Sequence, residues 1–156
     1  MDRVPMTPRG AELLRDELRR LKEADLPIVV KEIGLARGHG TENAEYLAAR
    51  ERKDMIMSQI ERTEAALAQG EIIDVTKVPN TGKVVFGATV TLKDTADDAT
   101  VNYRIVGAHE ASPRHGLISY AWPPALALLG KQRGDVVSVD MPSGRHTYEI
   151  IAVDHL

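Results

Sequence analysis

The chain has 156 residues, of which 43% are hydrophobic and 28% charged, and its formal net charge is -3 at pH 7. These values are typical of one or two globular domains and exclude a disordered or fibrous chain. They also exclude a strongly basic nucleic-acid-binding domain, so any contact with a polynucleotide needs a local patch.

The chain has no cysteine, which excludes a disulfide framework and a thiolate metal site. Its first five residues lack the apolar run of a signal peptide. The longest apolar run, 120–129, is interrupted by Pro123 and Pro124 and is too short to cross a bilayer. The sequence therefore predicts a cytoplasmic protein without a membrane partner.

Thr7 and Pro8 predict the start of a first helix, because Thr offers an N-cap oxygen and Pro at the first helical position loses no needed donor. The phase of its apolar face slips by about one residue near Pro27, which lacks an amide hydrogen and is expected to bend the helix. Before and after the slip, apolar residues recur at the three-and-four spacing of a coiled-coil seam: Leu14, Leu18, Leu21, Leu26, Val29, Ile33 and Ala36.

A second helix is predicted at 42–69, with Thr41 as its N-cap and Gly70 as its stop. Its seam residues have the same spacing: Tyr46, Ala49, Lys53, Ile56, Ile60, Thr63 and Leu67.

The stretch 35–46 is predicted to be the tip of an antiparallel helical hairpin. Gly38 and Gly40 are placed where a helix C-terminus often needs left-handed backbone. On heptads alone, such a hairpin could equally serve to dimerise or to space domains.

After residue 70 the hydrophobic period changes to that of strands. Strands are predicted at 83–92, 101–106, 116–120, 135–139 and 146–153, with a short helix at 125–129. The fold class is therefore α+β, with an N-terminal antiparallel helical hairpin domain at 1–75, a linker at 76–82, and an antiparallel sheet domain with one short helix at 83–156.

One group of residues in this half hints at a metal site, namely His109, Glu110 and His115. Their spacing matches no metal-ligand motif, so a polar loop is the preferred interpretation.

Several segments resemble the bacterial transcript cleavage factors GreA and GreB, and GreA more than GreB. The most specific is the tip, His39-Gly40-Thr41-Glu42-Asn43-Ala44-Glu45-Tyr46, and the others are 6–10, 48–51, 73–77, 86–90, 103–107, 128–131 and 134–137. The resemblance covers nearly the whole chain, in order.

The resemblance implies an FKBP-like fold for the sheet domain and an accessory role rather than an enzyme. Such factors bind RNA polymerase, enter its secondary channel with the hairpin, and promote cleavage at the 3′ end of backtracked nascent RNA. The resemblance also implies a magnesium ion shared with the RNA polymerase active site, and none bound tightly by the factor itself. In two-metal hydrolysis the metals stabilise the attacking and leaving oxygens.

Carried over by position, Glu42 matches the acidic tip residue of the family and is expected to be the catalytic residue and metal ligand. Arg37 and Arg50 match basic positions of the hairpin and are expected to bind RNA through its phosphates. The other predicted tip residues are His39, Gly40, Thr41, Asn43, Glu45 and Tyr46. Taken singly, the two glutamates would be ordinary first-turn acids favoured by the helix dipole.

The tip departs from the family pattern, which usually reads His-Gly-Asp-Leu, one variable residue, then Glu-Asn-Ala-Glu-Tyr. Here Gly40 is followed directly by Thr41 and Glu42, so the tip is shorter by two residues and lacks the aspartate. A lone carboxylate should hold magnesium less well than a pair, because this ion prefers several oxygen ligands in octahedral geometry. A cleavage-deficient GreA paralogue that regulates or competes at the same channel is therefore an alternative.

A second departure is Leu126, where the family commonly has an arginine between two alanines. Two alternatives come from other classes, a coiled-coil chaperone or scaffold and a prolyl isomerase. The isomerase is disfavoured because such sites are lined by aromatic residues and this chain has few.

Overall fold

The structure, a computed structural model, describes residues 3–40 and 42–156. It divides into two compact units, a helical unit formed by Ala11–Gly70 and a sheet unit formed by Arg3–Gly10 and Glu71–Leu156. The α+β class predicted from the sequence is confirmed. Within the two described ranges, no helix is both long enough and apolar enough to span a membrane.

The division differs from the predicted boundary at residue 75, because the first residues join the sheet unit. Strand β1 (Val4–Met6) pairs with β2 (Gly70–Ile72) in a two-stranded sheet. The backbone N–H of Ile73 extends this pairing by donating to the carbonyl of Met6 at 2.9 Å. Neither short strand has enough residues to show a period in the sequence, which is why the pairing was not predicted.

Helix α1 (Pro8–Arg20) begins where the sequence predicts. Its cap is Thr7, whose Oγ1 accepts a hydrogen bond from the backbone N–H of Gly10 at 3.0 Å. Pro8 occupies the first helical position, where its missing N–H has no partner to lose.

The phase slip near Pro27 has its physical cause in a π-helical turn at Leu21–Asp25, followed by α2 (Leu26–Arg37). There the N–H of Leu26 donates to the carbonyl of Leu21, five residues back. A π-turn inserts one extra residue into a helix, so the apolar face moves by one position. The helix therefore changes type before Pro27 and continues through it.

Helix α3 (Ala44–Gln69) begins two residues later than predicted. The predicted start at Glu42 is wrong because Asn43, with extended backbone, is the N-cap. Thr41, the cap predicted from the sequence, lies outside the described residues.

The predicted seam of α3 is confirmed, since its seven residues are buried or half-buried while most of their neighbours are exposed. Two surface ion pairs show the antiparallel direction of the hairpin: Lys22 pairs with Glu64 at 3.4 Å and Glu32 with Arg52 at 2.8 Å. Between the two pairs, the residue number rises by ten on the first arm of the hairpin and falls by twelve on the second. Opposite signs of nearly equal size are expected for two antiparallel helices with the same rise per residue.

The main sheet has five strands in the order β5-β4-β3-β7-β6. They are β3 (Thr89–Asp94), β4 (Thr100–Val106), β5 (Leu117–Ser119), β6 (Val136–Met141) and β7 (Gly144–Asp154). Neighbouring strands are antiparallel except β5, which is parallel to β4 and so corrects the fully antiparallel prediction. Helix α4 (Pro123–Leu128) contributes Ala125 and Leu128 to the core of this unit.

The predicted strand at 83–92 begins only at Thr89, because the chain turns at Gly87. Gly87 has φ +87°, and a Cβ there would lie 2.9 Å from the Cβ of Val75. Only glycine tolerates both the backbone angle and the close approach.

The predicted linker at 76–82 belongs to the sheet unit. The side-chain amide of Asn80 donates to the carbonyl of Val153 at 2.9 Å, and Nδ1 of His155 lies 2.8 Å from the carbonyl of Val78. These contacts pair polar groups of the segment with the last strand and with the residue that follows it, so the segment is held at two points along its length.

Candidate functional site

The turn that follows α2 forms the first half of the hairpin tip. The backbone N–H groups of His39 and Gly40 donate to the carbonyls of Ala36 and Arg37, both at 3.0 Å, which tightens the helix end. Gly40 has the predicted left-handed backbone, with φ +99°. Gly38 does not, since its φ of -60° is helical, so the prediction for that residue is wrong.

Asn43 forms the second half of the tip and uses its whole side-chain amide. Its Oδ1 accepts from the backbone N–H of Tyr46 at 2.8 Å and so caps α3. Its Nδ2 donates to the carbonyl of Ala36 at 3.1 Å and to that of Gly40 at 2.5 Å. One side chain therefore satisfies backbone groups at the end of α2 and at the start of α3.

Glu42 lies directly before this cap, outside the helix, and its side chain is exposed. Its interpretation as a first-turn acid is therefore wrong, because the helix begins at Ala44. Glu45 is the acid in the first turn of α3 and is also exposed. The two carboxylates consequently differ in local backbone, one in the tip turn and one on a helix.

The predicted RNA-binding arginines meet at one aromatic ring. The guanidinium carbon of Arg37 lies 6.0 Å from the centroid of the Tyr46 ring, and that of Arg50 lies 5.9 Å from it. Tyr46 is 7% exposed and belongs to a small buried cluster with Ile33, Ala36 and Ala49, whereas both arginines are exposed. The ring is thus fixed in the seam and holds two cations at the surface by cation–π attraction.

An open groove of about 470 Å³ lies beside the tip, on the helical unit. Small side chains line its base, His39 and Glu45 border it towards the tip, and the Glu32–Arg52 ion pair borders it on the other side. The side chain of His39 is exposed.

The described residues contain no group of three or more His, Cys, Asp or Glu side chains that could hold a metal ion. The predicted polar loop with His109 and Glu110 is structural, since Glu110 accepts hydrogen bonds from the N–H groups of Thr7 and Gly107.

Sequence reasoning named Asn43 only as a member of the tip and missed its role as the helix cap, and it placed Tyr46 in the tip and in the seam but missed its contact with two arginines. Asn is as good an N-cap as Thr, so the positions of Thr41 and Asn43 gave two possible helix starts. The seam spacing predicts the burial of Tyr46, but its contact with Arg37 depends on the facing helix.

Two family models together match most of the chain. The model described as "Transcription elongation factor, N-terminal" matches residues 4–72, and the one described as "Transcription elongation factor, GreA/GreB, C-term" matches residues 79–155.

Curated relatives are similar over their whole length. The transcription elongation factor GreA of Methylococcus capsulatus is 49% identical and covers 100% of both chains. That of Xanthomonas axonopodis pv. citri is 48% identical and covers 99% of both. Among solved structures, GreA factor homolog 1 of Thermus thermophilus is 27% identical, with 97% of this chain and 99% of that chain covered and a TM-score of 0.44.

Proposed function

The chain belongs to the GreA/GreB family of transcription elongation factors, and from this premise we propose that it promotes cleavage of backtracked nascent RNA by RNA polymerase. As a member of this family it acts with RNA polymerase in transcription elongation. The cleavage itself, the entry of the hairpin through the secondary channel and the roles of single residues are parts of the proposal. In it, the chain is an accessory factor and the polymerase is the enzyme.

The observation that carries the proposal is the exposed Glu42 carboxylate at the end of the hairpin. It directly precedes the Asn43 cap, whose Oδ1 accepts from the backbone N–H of Tyr46. A carboxylate presented by a rigid two-helix support can be brought into an active site of another protein with little loss of conformational entropy.

Magnesium shared with the polymerase would stabilise the negative charge that develops on the phosphate and on the attacking water. Glu42 would supply one ligand and accept a hydrogen bond from the water, with the remaining ligands coming from the polymerase and the RNA. The factor alone is not expected to bind magnesium tightly, because a single exposed carboxylate replaces few of the ion's water ligands.

Arg37 and Arg50 would contact phosphates of the displaced RNA 3′ segment. Guanidinium groups suit this role because their planar fork matches two phosphate oxygens. Their shared contact with Tyr46 supports the proposal, since it keeps both cations on one side of the tip without burying them.

The decisive experiment measures RNA cleavage in a backtracked elongation complex at neutral pH with wild-type protein, Glu42→Gln, Glu45→Gln or no factor. Wild type should accelerate cleavage. Glu42→Gln should lower the stimulated rate at least about tenfold, since even outer-shell changes at metal sites cost that much. Glu45→Gln is the matched control with the same loss of charge, and should stay within about twofold of wild type, as expected for an exposed surface residue.

Polymerase binding is measured in parallel, by competition with a labelled factor. Wild type that binds but leaves cleavage at its basal rate would overturn the proposal. That outcome is the one predicted by the cleavage-deficient alternative, which the missing aspartate motivates and the comparisons do not support.

A further inference from the structure

We propose that Asn43 is a positioning residue that fixes the Glu42 carboxylate for catalysis, an inference that rests on the proposed function of Glu42. Asn43 touches no reacting atom in this proposal. It acts by closing the tip turn, so that the residue before it has one backbone conformation.

The closure is visible in three hydrogen bonds from one amide group. The Nδ2 group spans seven residues of sequence to reach the carbonyl of Ala36 and three to reach that of Gly40. The Oδ1 atom binds the backbone N–H of Tyr46 in the opposite direction along the chain. The turn is therefore held at its start, at its middle and at its end.

The chemistry of this arrangement selects asparagine. Its side chain combines one acceptor oxygen with two N–H donors, and all three functions are in use here. Aspartate keeps the acceptor but has no donor when ionised, and serine offers a single hydroxyl. Either replacement preserves the helix cap, because Ser, Asp and Asn cap helices about equally well, but loses the bonds to Ala36 and Gly40.

The turn needs the hydrogen bonds of Asn43 because it contains two glycines within three residues, Gly38 and Gly40. Glycine samples more backbone conformations than any other residue. Without the hydrogen bonds of Asn43, the Glu42 carboxylate would therefore occupy many different positions. A displacement of about 1 Å at a catalytic group can lower a rate about a hundredfold. Loss of the Asn43 hydrogen bonds to Ala36 and Gly40 should therefore lower the cleavage rate more than the stability of the fold.

The test compares Asn43→Ser with wild type, with Thr63→Ala as the control for hairpin stability. Thr63 is buried in the same seam, and its hydroxyl donates to the carbonyl of Gln59 at 2.7 Å. The measurements are the cleavage rate at saturating factor, the factor concentration that gives half the maximal rate, and backbone ¹⁵N order parameters of the free protein.

We expect Asn43→Ser to lower the maximal rate about tenfold or more, with less than about a twofold change in the half-saturating concentration, and to lower the order parameters of residues 38–40 and 42 below about 0.6. Thr63→Ala should change neither the maximal rate nor those order parameters. Asn43→Ser with a wild-type maximal rate, or with a lower rate explained by weaker polymerase binding, would overturn the proposal.

The two proposals can fail separately. If wild type does not stimulate cleavage, the proposed function fails, and the order parameters still decide whether Asn43 fixes the turn. Unchanged order parameters in Asn43→Ser would overturn the positioning role in either case.

Discussion

The guanidinium of Arg50 lies over the ring of Tyr46, with 5.9 Å between its central carbon and the ring centroid. Both residues belong to the first two turns of α3, and Tyr46 is one of the most buried residues near the tip. The pair therefore links the packing of the hairpin to the charge that it presents at its surface.

The first prediction tests this link with a double-mutant cycle. Arg50→Lys keeps the charge but loses the planar stacking group, and should reduce stimulated cleavage about twofold to fivefold, the equivalent of a surface cation–π contact of about 0.5–1 kcal/mol. In a Tyr46→Leu background the same replacement should have little further effect. Equal effects of Arg50→Lys in both backgrounds would show that the ring does not position the guanidinium. The control is Arg52→Lys, because Arg52 pairs with Glu32 rather than with an aromatic ring. This replacement should show no coupling to Tyr46→Leu.

The second prediction concerns the start of α1 in the sheet unit. Glu110 accepts from the N–H groups of Thr7 and Gly107, and the Thr7 hydroxyl also binds its carboxylate. A Cβ at Gly10 would lie 2.5 Å from Glu110 Oε2, so Gly10→Ala must displace this carboxylate.

Glu110→Ala and Gly10→Ala should therefore each lower the free energy of unfolding, by about 1–3 kcal/mol, because each leaves buried donors unsatisfied. The double variant should lose clearly less than the sum, since the clash and the hydrogen bonds involve the same carboxylate. Urea unfolding of the four proteins measures this coupling. Simple additivity would mean that Gly10 is not restricted by Glu110.

The third prediction concerns the weak part of the seam. Lys53 occupies a seam position of α3 and is half-buried, next in the seam to Ala49 and Ile56. Lys53→Leu should raise the stability of the hairpin by about 1 kcal/mol, because an apolar side chain gains more from burial there. Lys31→Leu, at an exposed position, is the control and should give no gain in thermal unfolding. A loss of stability in Lys53→Leu would show that the lysine ammonium makes a favourable contact that apolar packing cannot replace.

Most of the helical hairpin could be predicted because its seam repeats many times and each repeat supports the others. The π-turn at Leu21–Asp25 left a trace in the sequence, the one-residue phase slip, although nothing in the pattern told a π-turn from a proline bend. The tip could not be predicted to the residue. Thr41 and Asn43 are both good caps, and the choice of Asn43 depends on the carbonyl of Ala36, which α2 supplies.

In the sheet unit, strands with a clear alternation were predicted and the exceptions have local causes. The strand expected from residue 83 begins only at Thr89, because the chain turns at Gly87, where the close approach of Val75 leaves no room for a side chain. The sequence pattern gives no sign of this contact between Val75 and Gly87. The parallel pairing of β5 with β4 likewise depends on the path of the chain through the 3₁₀ turns at Ala108–Glu110 and Pro113–His115. Periodicity identifies a strand and does not give the direction of its neighbour.

The last prediction concerns the pH dependence of the sheet unit, at the contact between Asp94 and His146. The N–H of Ala96 donates to Asp94 at 2.9 Å, and Nδ1 of His146 lies 3.0 Å from the same carboxylate. Both contacts lower the pKa of the Asp94 carboxyl below its ordinary value, and the hydrogen bond from Ala96 is the larger cause. His146 is held in place by stacking on Tyr148 and by a 2.8 Å contact between its Nε2 and Ser143 Oγ.

A carboxyl group whose pKa is lower in the folded than in the unfolded state stabilises the fold above its unfolded pKa, about 3.9 for aspartate. This stabilisation is lost as the pH falls through the folded pKa. The free energy of unfolding should therefore decrease between about pH 5 and pH 2 more steeply in wild type than in Asp94→Asn, which has no group to protonate at this position. Urea unfolding at a series of pH values checks this, with Asp140→Asn, an exposed β6 residue, as the control. Parallel curves for wild type and Asp94→Asn would mean that the hydrogen bonds to Asp94 do not favour its charged form.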